Sequence, residues 1–449
     1  MVTGLIGQKG RRGALMVNID VTHPDIEELI DIKSHDSEKV RFANISVNMT
    51  DEFMEAVETH SDFDLTFHVD ATNETITKTV NAKDLFMKLA RNNWNSAEPG
   101  ILFQDRINSW HIMSEDEDFE FAGVNPCGEE PLPAFGSCNL SSINLAKFVD
   151  KPFTNEASFD FDRFDKAVRE GVIYLNEVLD ENMNYHPLEQ QKQVSKDLRQ
   201  IGLGIMGLAD MFIKMGIRYG SNKSVDLSCE IAKFMLNSAL QQSALLAKEH
   251  GTFPLYKKKS VMLSPFIQEN TTDETLEMID DYGLRNSQVL TVAPTGSIST
   301  MIGVSGGMEP IFQNSYTRKS ETLHAGDTYY KVFTPIVKAY MEANNIVDEK
   351  DLPDYFVTSS TLNYKERIRV QSAWQQYIDA SMSSTINVPN EFTVEEVAEL
   401  YMYAWIMGLK GVTIYRDGCS RAGILTTNTK ESRLNKLDEL QFDMDKIII

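Results

Sequence analysis

The sequence predicts an α/β fold containing parallel strands, and three observations carry that expectation. Short apolar, strand-like runs alternate with stretches of helical periodicity. At 449 residues, 42% apolar and 24% charged, the chain has the make-up of a globular enzyme with a large core. It holds no internal repeat and no low-complexity tract, so the alternation is the organising signal.

The elements follow in order. After a Gly/Arg-rich loop, "ALMVNIDV" reads as a strand and "HPDIEELIDIKS" as a helix with Pro24 near its first turn. "ANISVNMT" alternates like a strand, and "DEFMEAVETH" follows as a helix capped by Thr50 or Asp51. "AKDLFMKLARNNWNS" is helical and "GILFQD" is a short buried strand. Residues 160–184 and 188–248 are expected to be mostly helix, from apolar residues at i, i+3 and i+4. "NSQVLTVAPTGSIST" is a strand running into a turn and a helix; helices near 367–382 and 393–408 and a strand "GVTIY" complete the pattern. The expected division is a catalytic unit over 1–423 and a polar tail over 424–449.

Charge and cysteine usage narrow the function. A formal net charge of −23 argues against broad binding to nucleic acid or anionic membrane. A nucleotide ligand is compatible, because backbone N–H groups bind phosphate whatever the global charge. Four cysteines, at 127, 138, 229 and 419, are too few and scattered for a disulfide scaffold, which points to a reducing cytoplasm. No run of apolar residues is long enough to span a membrane, and the start lacks a signal-peptide core.

Three motifs compete for the chemistry. "GLGIMG" (Gly202, Gly204, Gly207) matches the dinucleotide fingerprint, but a charged stretch of helical character precedes it instead of a buried strand. The NAD reading is therefore rejected in favour of close helix packing. "VLTVAPTGSISTMIG" is a better anion site. A strand stops at Pro294, and Thr295, Gly296, Ser297, Ile298 and Ser299 open a helix whose free N–H groups favour negative charge. An ordinary Ser/Thr-capped helix is the alternative.

The third motif is "NPCGEEPLPAFGSC", which places Asn125, Cys127 and Glu129 at alternate positions and Cys138 eleven residues on. No C-x-x-C or neighbouring histidine supports zinc, and no metal ligand is assigned. A carboxylate beside the thiol would hinder a thiolate nucleophile. It suits a sulfur that works as a radical, taking a hydrogen atom while the carboxylate takes a proton.

With these blocks the chain resembles the catalytic subunit of ribonucleotide reductases, most closely the adenosylcobalamin-dependent class II enzymes. The resemblance runs from "GRRGALM" through "NPCGEEPLP…GSCNLSSINL", "IGLGIMGLADMF", "LRNSQVLTVAPTGSIST" and "SSTINVPN" to "GLKGVTIYRDG". It implies a ten-stranded α/β barrel with the thiyl cysteine on a central finger loop, and reduction of ribonucleotides for DNA synthesis. Cys127 would be the thiyl radical that removes the 3′ hydrogen, Glu129 would take the 3′-hydroxyl proton and Asn125 would orient the ribose. Cys138 would be one of two reducing thiols and would end as half of a redox-active disulfide. Residues 294–299 would bind substrate phosphate. Gln8, Lys9, Arg11 and Arg12 would form the specificity loop that reports a bound dNTP or ATP effector. A thioredoxin- or glutaredoxin-type reductant is implied as well.

Class I relatives carry adjacent tyrosines where this chain has Ile414 beside Tyr415, which favours class II. Ser384 stands where the resemblance leads one to expect lysine, Cys419 replaces a serine, and Cys229 reads as a packed core thiol. Only nine residues precede Gly10, so the first barrel strand, with the cysteine that would pair with Cys138, is expected on a separate N-terminal polypeptide. The alternatives are a class I α-subunit fragment needing a radical-generating β subunit, and an inactive remnant that binds nucleotides or a partner.

Overall fold

A computed structural model describes residues 7–8, 11–33, 40, 43–322 and 326–420. Lys9 of the specificity loop and the tail at 424–449 lie outside the described residues. The first strands, β1 (Gly7–Gln8) and β2 (Arg11–Arg12), form an antiparallel pair that sets Gln8 opposite Arg11. Next come β3 (Met16–Asp20), β4 (Asn44–Met49), a hairpin of β5 (Asp62–Val69) with β6 (Glu74–Asn81), and β7 (Gly100–Phe103). A small hairpin, β8 (Gly123–Val124) with β9 (Pro131–Leu132), precedes β10 (Asn139–Asn144). The pair β11 (Val149–Asp150) and β12 (Ser158–Phe159) is followed by β13 (Ile201–Met206). A further hairpin, β14 (Ser315–Thr322) with β15 (Gly326–Phe333), leads to β16 (Thr385–Val388) and β17 (Gly411–Arg416).

The strands that matter for the site join in one series. The order β16-β17-β7-β4-β3 forms a sheet in which β3, β4 and β7 are parallel, and β17 is antiparallel to β7 but parallel to β16. β10 runs parallel to β13. β13 bridges to residues 289–292 through Leu203 and Leu290, and that stretch bridges to Met382 through Val292. Met382 leads directly into β16, so pairings run unbroken from β10 at one end to β3 at the other. Among the described residues β10 and β3 do not pair, so the ring of the expected ten-stranded barrel is not closed.

Local sequence explains the supporting helices. Thr50 Oγ1 accepts from Phe53 N at 3.2 Å and starts helix Asp51–Thr59; Asn81 Oδ1 accepts from Asp84 N and starts Ala82–Ser96. Helix Phe161–Asn182 buries Phe164, Val168, Val172, Leu175 and Leu179 along one stripe, each contributing roughly 1.5–3 kcal/mol of apolar burial. It lies close on β13 because residue 171 is glycine: a Cβ there would meet Leu203 Cδ1 at 2.8 Å. Helix Asn222–His250, capped by Ser221, covers it from outside. No described helix is long and apolar enough to cross a membrane.

Residues 188–248 are mostly helix as expected, although the buried strand β13 separates helix Glu189–Leu198 from helices Leu208–Lys214 and Asn222–His250. Two other expectations need correction. Gly202 and Gly204 of "GLGIMG" serve strand packing rather than helix packing, while Gly207, at φ 72°, starts the next helix. A Cβ on Gly204 would come within 2.3 Å of the Thr291 carbonyl oxygen. Gly202 and Gly204 lie inside the strand and not in a phosphate-gripping turn after it, so the dinucleotide reading stays rejected. The second correction is Cys229, which is half-buried on its helix beside buried Ser228 and is not a core residue.

Candidate active site

The chemistry-bearing residues gather around the β8–β9 hairpin. Its tip, 125–130, is closed by Asn125 N donating to Glu130 O and by Gly128 N donating to Asn125 O. Gly128 has φ +80°, a left-handed conformation that glycine adopts without strain, and this lets the chain reverse just after Cys127. Asn125 Oδ1 accepts from Glu130 N at 3.1 Å and so braces the turn from within. The tip is held from several sides. Asn44 Nδ2, at the start of β4, donates to Pro126 O at 2.7 Å. Ser381 N and Thr291 Oγ1 donate to Glu129 O at 2.9 and 2.8 Å. The hairpin tip is thus fixed between β4 on one side and the 291 and 381 stretches on the other, with the Cys127 side chain left exposed.

Asn125, Cys127 and Glu129 are brought together on this tip as the motif implies. Glu129 is 3% exposed, and burial pushes its carboxyl up although the Asn125 side chain opposes the shift. Cys138 stands half-buried at the head of β10. Its thiol is pushed up by burial, then by the carboxyls of Glu130, Asp379 and Glu129. The anion candidate is only partly as expected. Residues 289–292 make isolated bridges and not a full strand, and helix Gly296–Ile302 has no side-chain cap. Thr295, at φ 50°, accepts from Gly307 N at 2.8 Å, so its hydroxyl is already engaged. Ser299 is buried, whereas Gly296, Ser297 and Ile298 are exposed at the helix start and Pro294 is half-buried before it. Thr291 and Gly296 are five residues apart, so the helix start lies within about 17 Å of the contact on Glu129.

Several buried polar neighbours of the hairpin escaped the sequence reading. Glu130 is 2% exposed, and burial raises its carboxyl to about 8 although Gln288, Thr291 and Cys138 oppose the shift. Gln288 Nε2 donates to Glu130 Oε2 at 2.6 Å. Asp379 accepts from Val289 N and Leu290 N at 2.8 and 2.7 Å, and burial raises it too. Lys410, fully buried, donates to the carbonyls of Trp110, Asp379 and Ala380, and burial lowers its ammonium despite Asp379. Buried His111 falls to about 3 through burial and the charge of Lys410. The one sequence signal was a lysine inside the apolar run "MGLKGVTIY". At Ser384, where a lysine was expected, the hydroxyl accepts from Arg367 at 3.2 Å; Arg367 also pairs with Glu309. Ile414, beside Tyr415 in β17, is fully buried.

Comparison with known proteins agrees with this geometry. A 32% identical relative is the vitamin B12-dependent ribonucleoside-diphosphate reductase of Thermoplasma acidophilum, aligned over 96% of this chain and 55% of that protein. The Mycobacterium tuberculosis protein of the same description is 29% identical over 97% of this chain and 61% of its own length. The chain spans little more than half the length of these curated relatives. Among solved structures, the class Id ribonucleotide reductase alpha subunit of Actinobacillus ureae superposes with a TM-score of 0.68 at 21% identity. It covers 91% of this chain and 71% of that one, and shares the fold. The family description "Ribonucleotide reductase, barrel domain" matches residues 2–415, so the chain belongs to the ribonucleotide reductase barrel-domain family.

Proposed function

We propose that this chain carries the catalytic centre for reducing ribonucleotides to 2′-deoxyribonucleotides by a thiyl-radical mechanism. The observation that carries the reading is the hairpin tip: a thiol exposed at its apex with a buried carboxyl two residues on, on a turn held by hydrogen bonds from Asn44, Thr291 and Ser381. Hydrogen-atom abstraction tolerates little misplacement, and a turn tied to β4, 291 and 381 limits it. In this reading Cys127 Sγ removes the 3′ hydrogen of the ribose. Glu129, whose raised basicity follows from burial, takes the 3′-hydroxyl proton as the 2′-hydroxyl leaves as water. Asn125 holds the ribose hydroxyls, and Cys138 supplies reducing equivalents and closes into a disulfide. The exposed N–H groups at 296–298, with Ser297, bind the substrate phosphate.

Adenosylcobalamin suits this site because the Cys127 thiol is exposed at the tip, where an outside group can reach it, and it supplies the unpaired electron when bound. The names of the curated relatives support that cofactor. The residue beside Tyr415 is Ile414 and not a second tyrosine, which supports class II over a class I subunit. The full activity also needs a second reducing thiol, a dNTP or ATP effector read through Gln8, Lys9, Arg11 and Arg12, and a thioredoxin- or glutaredoxin-type reductant. Additional strand, from the same or a separate polypeptide, fits beside β10, whose sole strand partner among the described residues is β13. The test is an assay of the protein, combined with the polypeptide that carries the second reducing thiol, with ribonucleotide and dithiol. Turnover that requires adenosylcobalamin is expected; turnover without it, driven by a di-iron or di-manganese partner protein, would support the class I alternative.

A further inference from the structure

A buried carboxyl that this chemistry does not use stands beside Cys138. Gln288 Nε2 donates to Glu130 Oε2 at 2.6 Å and lies 3.7 Å from Cys138 Sγ. The amide is held in that orientation, because its Oε1 accepts from Gln200 Nε2 at 3.2 Å. The carboxyl also interacts with the thiol directly. Its second oxygen, Oε1, is buried without a hydrogen-bond partner, in space kept open by Gly202, where a Cβ would meet that oxygen at 2.8 Å. An ionised carboxylate would leave a charged oxygen orphaned in the interior, whereas a protonated one carries its O–H there. The charged groups facing the sulfur are Glu130, Asp379 and Glu129, and Asp379 is faced in turn by Lys410. A thiolate formed at Cys138 would therefore meet three carboxyls and needs a proton at once.

We propose that Glu130 is the acid that protonates Cys138 whenever its disulfide is reduced, an inference that rests on reading Cys138 as a reducing thiol. A dithiol reductant attacks the partner sulfur of the disulfide. The S–S bond breaks, its electron pair stays on Cys138 Sγ, and the Glu130 proton moves to that sulfur. The dithiol's second thiol then displaces the partner sulfur, closing the reductant into its own disulfide. The reductant's two thiol protons go one to the partner sulfur and one to Glu130, so both cysteines end as thiols and the carboxyl is restored.

The test alkylates the full folded chain with iodoacetamide from about pH 7 to about pH 10, reading each cysteine peptide by mass spectrometry. With Glu130→Gln, the Cys138 rate profile moves to lower pH by about one unit or more, close to tenfold faster at a given pH below its midpoint. Cys229, on helix Asn222–His250 and facing Asp226 rather than Glu130, serves as the internal reference and stays put. Should the glutamine variant fold poorly, Glu130→Asp, which withdraws the carboxyl by one methylene, moves the profile part of the way. Superimposed Cys138 profiles in folded variants overturn the proposal. In the reductase assay, dithiol-driven turnover of Glu130→Gln falls about a hundredfold; turnover equal to the parent also overturns it. Failure of the underlying reading looks different: Cys138→Ser would then sustain full multiple turnover, which no outcome for Glu130 alone produces.

Discussion

Glu130 and Lys410 are the two residues whose burial most constrains the site. Glu130 is raised from 4.5 to about 8, so the native state holds a proton there that the unfolded chain releases above about pH 4.5. The associated stability is fully present below 4.5 and is lost as pH rises towards about 8. Glu130→Gln cannot titrate, so its urea midpoint relative to the parent should rise across that window; Glu129 and Asp379 titrate in both proteins and cancel. A gap independent of pH would contradict the burial assigned to Glu130. Lys410→Met should cost about 3–5 kcal/mol, because it strips a donor from three buried carbonyls and leaves Asp379 without its cation. A loss below about 1 kcal/mol in chemical unfolding, the range of a surface ion pair, would show that the pair is not acting as a buried one. That Asn125, Cys127 and Glu129 share one turn was legible from their spacing, whereas the roles proposed for them and for Cys138 rest on the family resemblance. Glu130, Gln288, Asp379 and Lys410 were not legible, because they come from four distant stretches and meet only after the series β13, 289–292, 382, β16 and β17 is assembled.

At the level of elements, strongly periodic segments could be read and weakly patterned ones could not. Helix Ala82–Ser96 and strands β3, β4 and β17 fall where capping and alternation put them. β13 was hidden because two of its six residues are glycine and its neighbours are helical. The hairpin β5–β6 went unread although "DFDLTFHV" and "ETITKTVN" alternate on either side of a turn with Asn73 at φ 56°. The anion site illustrates a mixed outcome: the helix starts where the Thr/Gly/Ser run predicts, but Thr295 is committed to Gly307 N. Ser297, exposed in the first turn, is the cleaner probe. Ser297→Ala should weaken binding of the nucleotide relative to the nucleoside by about 1–3 kcal/mol. Equal effects on both ligands, measured by calorimetry, would return the helix to a purely structural role.

For the whole molecule, the series of pairings from β10 to β3 explains why a two-residue hairpin can carry the chemistry. Donors from β4 and from the 291 and 381 stretches hold its backbone while the Cys127 side chain stays exposed. The parallel α/β class was evident from the alternation of elements. Strand order was not, since β7 pairs with β17 across some three hundred residues of sequence. The central claim is that the sulfur of Cys127 starts ribonucleotide reduction. Its most direct test compares the parent with Cys127→Ser, each combined with the polypeptide that carries the second reducing thiol and supplied with ribonucleotide, dithiol and adenosylcobalamin, by chromatography of the deoxyribonucleotide formed. The parent should form product and the variant none, with substrate binding nearly intact because a hydroxyl matches the thiol in size but cannot readily form the radical. Comparable product from the variant would contradict the thiyl assignment.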